Sequence, residues 1–88
     1  MCTGIVETVE VIGSSGKARN GSWIKLEQVH VSYDHPTDAP QEHALNIDFV
    51  SEKNDPGARI AVELSSESAR KLVDAINTAL SRGSRIVS

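Results

Sequence analysis

His43-Ala44-Leu45-Asn46-Ile47-Asp48-Phe49-Val50 alternates apolar and polar side chains along most of its length. Leu45, Ile47 and Phe49 fall on one parity and Asn46 and Asp48 on the other, as in a strand with one buried face. His43 shares the apolar parity and Glu42 the opposite one. The turn-rich run Ser51-Glu52-Lys53-Asn54-Asp55-Pro56-Gly57 comes next, and then Arg59 to Leu64 repeats the alternation. Ile60, Val62 and Leu64 face inward there, and Arg59, Ala61 and Glu63 outward. Two strands so close in sequence predict an antiparallel hairpin, with Asp48 and Arg59 as a cross-strand ion pair on its wet face.

Downstream, the period changes. Ala69, Leu72, Val73, Ile76, Ala79 and Leu80 recur at helical spacing, with Arg70, Lys71, Asp74, Asn77 and Thr78 on the wet side. Ser65 or Ser66 serves as N-cap, and Glu67 puts a carboxylate in the first turn, where the macrodipole favours it. Arg82-Gly83 is the expected stop, with Gly83 in the left-handed conformation. Residues 1–83 would then form one small domain and 84–88 a loose tail.

Upstream, Trp23 to Tyr33 reads as a long strand whose phase changes. Ile24 and Leu26 lie on one parity and Val29, Val31 and Tyr33 on the other, so a bulge or bend is expected near Glu27-Gln28. His30 and Ser32 point away from the Val29 face, with His30 solvated. Trp23 and Tyr33 anchor core edges or an interface. Ile5 to Ile12 is a further strand with imperfect alternation, which implies either a bulge or two partly covered faces. Gly13 to Ser22 reads as a flexible connector ending in an Asn20-Gly21 turn. Its Gly16-Lys17 pair is no phosphate loop, because Val11 and Ala18 stand where that motif needs Gly and Ser or Thr. The expected fold is α+β: a four-stranded, mainly antiparallel sheet in β-β-β-β-α order, with one C-terminal helix packed on one face.

Composition narrows the function. A chain of 88 residues with one Trp, one Tyr and one Phe builds a thin aliphatic core. Such domains commonly gain stability from a partner subunit or a metal, so a homo-oligomer, a dimer first of all, is expected. A net charge of −3 without a basic stripe argues against nucleic acid. A single cysteine, Cys2, excludes an internal disulfide and suits the cytoplasm. Acidic Glu7 and Glu10 stand where a signal peptide would be apolar, so none is expected, and no apolar run is long enough to span a bilayer. The small-molecule ligand, if there is one, is not encoded in any motif.

Chemistry concentrates in Tyr33-Asp34-His35-Pro36-Thr37-Asp38-Ala39-Pro40-Gln41-Glu42-His43. Two histidines and three carboxylic acids crowd a loop stiffened by two prolines. Pro36 biases His35 toward an extended backbone. Cys2, His35 and His43, with Asp34, Asp38 or Glu42 as fourth ligand, form a candidate site for zinc or a similar divalent metal. It requires Cys2, at the start of the first strand, to approach the same end of the sheet, as it would if the first and third strands were neighbours. Alternatively, removal of Met1 would expose Cys2 as an N-terminal nucleophile activated by His35 or His43, making the protein a small enzyme. The plain reading of these residues is a surface loop with solvated acids.

The opening Met1-Cys2-Thr3, the Tyr33-Asp34-His35-Pro36 run, the segment Glu42 to Phe49 and the stretch Arg59 to Ser68 together resemble a family of short bacterial proteins known only as a domain of unknown function. That resemblance spans nearly the whole chain. In the family the loop after His35-Pro36 often carries a further histidine where Asp38 stands here. It implies the same fold unit and a bacterial origin, and no activity or cofactor.

Overall fold

The computed structural model describes residues 3–51 and 59–86. The elements run β1 (Ile5–Lys17), β2 (Trp23–Asp34), β3 (Ala44–Ser51), β4 (Arg59–Leu64) and α1 (Ser66–Ile86). The four strands form one antiparallel sheet in the order β1-β2-β3-β4, so the protein is α+β. The turn expected over 52–57 lies outside the described residues.

Register sorts the side chains onto two faces. Ile5, Tyr33, Leu45 and Leu64 make one cross-sheet row, and Val9, Val29, Phe49 and Ile60 another. Glu7 interrupts the row between them, which continues through Val31, Ile47 and Val62. The opposite face carries Val6, Ser32, Asn46 and Glu63, then Thr8, His30, Asp48 and Ala61.

The phase change in β2 is a bulge. Leu26 pairs with Ser51 and Gln28 with the adjacent Val50, which leaves Glu27 unopposed. On the other side, β1 shifts register between Glu10 and Ser14, and Gly13 there takes a φ of 87°. Beyond this kink β1 does not end at Ile12 as expected. Ser14 to Lys17 stay paired with Leu26 to Trp23, because ladder hydrogen bonds to β2 outweigh the poor strand propensity of Gly and Ser. The bend brings β1 back over the sheet, and a Cβ on Gly16 would lie 3.0 Å from Ile60 Cδ1, across two intervening strands. The hairpin closes at Ala18–Ser22, where the Ala18 amide donates to the Ser22 carbonyl at 2.7 Å and Gly21 has a φ of 89°.

Ser65 caps α1: its hydroxyl accepts from the Ser68 amide at 3.1 Å, and its carbonyl from the Ala69 amide at 2.9 Å. Two expectations for this helix are corrected. It passes through Gly83, which is helical rather than left-handed, and runs to Ile86, so 84–86 are no loose tail. Arg85 in the last turn complements the helix dipole, and the Ser84 hydroxyl donates to the Ser81 carbonyl at 3.0 Å. Nor does α1 lie across the sheet. Only Ser66, Ala69 and Gly83 are even half-buried, and every residue from Lys71 to Arg82 is exposed. The helix meets the sheet at its first turn, where Ser66, Ala69 and Arg70 line a cleft with Tyr33 and Leu45. With one connecting residue, Ser65, after β4, the helix leaves the sheet rather than folding back over it.

Burial is correspondingly slight. Among the described residues Leu26, Val29, Ala44 and Ser51 are buried, and the rest of the apolar face is half-buried or open. No described helix is long and apolar enough to cross a membrane.

Candidate functional site

The loop between β2 and β3 is built from both ends. Asp34 closes β2 and accepts the His35 amide on its Oδ1 at 2.8 Å. His35 Nδ1 reaches the Glu42 carbonyl at 2.9 Å, spanning the base of the loop. A carbonyl only accepts, so Nδ1 is the donor in this contact, and in the neutral ring the lone pair is the one on Nε2. The two histidines meet as rings: His35 stacks on His43 with centroids 4.7 Å apart at 27°, and His43 on Tyr33 at 5.6 Å and 17°. This three-ring stack exists because His43, one residue before β3, shares the parity of Leu45, whose register partner is Tyr33.

The tip of the loop is held by a residue from β4. The amides of Thr37, Asp38 and Ala39 all donate to the Glu63 carboxylate, at 3.0 Å for Asp38 and Ala39. Three consecutive N–H groups converging on one carboxylate make an anion cradle filled from within the protein. These bonds, that from Thr37 foremost, hold the Glu63 carboxyl below the usual glutamate range. Glu63 was expected simply to face outward. Nothing local marks its role, since its partners lie about 25 residues upstream and only the β3–β4 register, which sets Glu63 opposite Asn46, carries it there.

Beside the cradle a polar cleft of about 280 Å³ opens on the wet face, lined by Asp34, Asn46, Asp48, Arg59 and Glu63 among others. Arg59 forks onto Asp48, with Nη2–Oδ2 at 2.8 Å and Nε–Oδ1 at 3.2 Å, so the expected ion pair is present, on the diagonal. The hydrogen bond and charge of Asp48 raise the Arg59 pKa, so its guanidinium is charged at all working pH. Asn46 donates through Nδ2 to the Ala44 carbonyl at 3.3 Å and weakly to that of Asp34 at 3.5 Å, while its buried Oδ1 has no protein partner. His30 is not simply solvated: its Nδ1 lies 2.9 Å from the hydroxyl of Thr8, its register neighbour.

Of the sequence-predicted ligands, the structure brings His35 and His43 together, and it sets Asp34 and Glu42 in contact with His35 through a carboxylate and a carbonyl respectively. Asp38 takes part through its backbone amide. Cys2 lies outside the described residues. Its neighbour Thr3 donates its hydroxyl to the Tyr33 carbonyl, at the loop end of the sheet. Strands β1 and β3 are separated by β2, and it is the Ile5–Tyr33 pairing that brings the start of β1 to this end. Among the described residues no three His, Cys, Asp or Glu side chains converge as a metal-binding group.

No curated protein and no solved structure matches the chain. A model of a family of unknown function, DUF6295, matches residues 1–86. With nearly its whole length covered, the chain belongs to the family DUF6295.

Proposed function

We propose that this is a bacterial, cytoplasmic, homo-oligomeric binding or accessory protein that works as a dimer. One observation carries the reading. The apolar face of the sheet and the apolar stripe of α1 are both left open, with Ile5 and Val9 54% and 52% exposed and Ile76 and Leu80 50% and 67%. Apolar surface left open on two elements of so small a domain marks an interaction site. Static light scattering at micromolar concentration should give twice the 9.5 kDa mass of one chain. A monomer under those conditions overturns the reading.

A second reading, binding of zinc or a similar ion, draws support from the His35–His43 contact and from the Glu42 carbonyl that fixes the His35 tautomer, as second-shell carbonyls do for ligating histidines. Cys2 and a carboxylate from Asp34, Asp38 or Glu42 would complete the set. Elemental analysis of protein purified without a nickel column should find about one equivalent of metal, and chelator should lower the Tm. Metal-free protein with an unchanged Tm rules it out.

A further inference from the structure

The same open surfaces also indicate how two copies fit together, an inference that rests on the dimer reading above. We propose that α1 of each copy lies across the β1–β2 side of the apolar sheet face of the other, so that the two helices are exchanged reciprocally.

The shape of the helix stripe is the first argument. From Ala69 through Leu72, Val73, Ile76, Ala79 and Leu80 it covers an arc of roughly 120° at 3.6 residues per turn. That is the breadth of a helix packed on a broad surface, wider than the seam of a two-stranded coiled coil. α1 therefore fits a sheet better than a second copy of itself. Its own sheet receives it only at the first turn, beside Tyr33 and Leu45. At the other end of the apolar face, the curled-over β1 near Gly16 already covers Ile60 and Leu26. What stays uncovered is the edge row of β1, where Ile5 and Val9 are each more than half exposed.

Charge makes the second argument. α1 carries Arg70, Lys71, Arg82 and Arg85 against Glu67 and Asp74, a net +2. The β1–β2 pair carries Glu7, Glu10, Glu27 and Asp34 against Lys17 and Lys25, a net −2. Glu7 is the charged residue within the apolar rows, level with Val31, Ile47 and Val62, and opposite net charges come together when a partner helix arrives. Area is the third argument. A 21-residue helix is about 31 Å long and about 10 Å wide, so it shadows about 300 Å² of each surface it meets. Two reciprocal contacts, both sides counted, then bury about 1,200 Å², which reaches the size of a stable interface.

The test places the photo-cross-linker benzoylphenylalanine at the exposed Ile76 position of the full chain. Equal amounts of ¹⁴N- and ¹⁵N-labelled protein are mixed, allowed to exchange and irradiated, and tryptic peptides are read by mass spectrometry. The expected product joins the peptide Leu72–Arg82 of one isotope to the β1 peptide ending at Lys17, or to the β2 peptides, of the other. Light scattering on the same sample establishes the mass. A dimer whose cross-links join helix to helix, or which yields none from helix to sheet, overturns the exchange and leaves the dimer standing. Helix-to-sheet products found only with both peptides of one isotope, with no mixed pair among them, show the helix folded onto its own sheet and also overturn it. A monomeric mass removes the dimer itself.

Discussion

Glu63 is the residue on which the loop depends. A carboxylate that accepts three neighbouring amides fixes Thr37, Asp38 and Ala39 at once, between Pro36 and Pro40. Glu63→Gln keeps the length but removes the charge, and its NH₂ group would face the same donors. The amides of Thr37, Asp38 and Ala39 should then exchange with solvent roughly tenfold faster, read by NMR, while those of β2 and β3 hold. The pH dependence follows from the direction of the shift. A carboxyl whose pKa is depressed in the folded state stabilises the loop fully above its ordinary value, and this contribution disappears as pH falls through the lower folded value. Wild-type protein should therefore lose protection at these three amides on acidification below the ordinary glutamate range, and Glu63→Gln should show no such step. Equal acid behaviour in both proteins would refute the clamp.

Among the elements, α1 offers the sharpest contrast between sequence and structure. Gly83 lies within the helix with nothing near the place a Cβ would occupy. Gly83→Ala should raise helicity and stability by about 0.5–1 kcal/mol, measured by circular dichroism and thermal melting, because alanine removes the entropic cost of glycine without a clash. Were Gly83 a left-handed stop, the same change would destabilise. The strands show where sequence reading succeeds. Alternation at Leu45, Ile47 and Phe49 and at Ile60, Val62 and Leu64 gives the pairing and the inner face, and β4 has the expected bounds. The parity break before Gln28 marks the bulge, since a single extra residue must flip every side chain after it. The longer reach of β1 was hidden because Gly13 to Lys17 owe their strand form to β2, and local propensity argues for a loop. The Glu63 clamp was hidden for a related reason: its partners are remote in sequence and present backbone amides, which leave no residue signature. At the loop itself, the histidines stood out by type, but only the register reveals that they stack.

For the whole molecule, the Cα radius of gyration is 14.6 Å, where a compact domain of this length has about 12 Å. The excess comes from a helix that stands away from its sheet, and it is why light scattering should find two chains rather than one: the apolar surface left over is what an isolated domain this small would otherwise bury. The edges of the sheet bear on how far such association can go. β1 is kinked between Glu10 and Ser14 and carries Glu7 and Glu10, and β4 is six residues long with Arg59 and Glu63 in it. Kinks, charges and short strands each discourage backbone pairing between molecules. Growth by adding strand to strand is thus blunted at both ends, whereas a two-fold contact between faces uses each surface once and then stops. The bulge that bends β1 therefore has a consequence beyond its own hairpin: it favours a closed pair over a fibre.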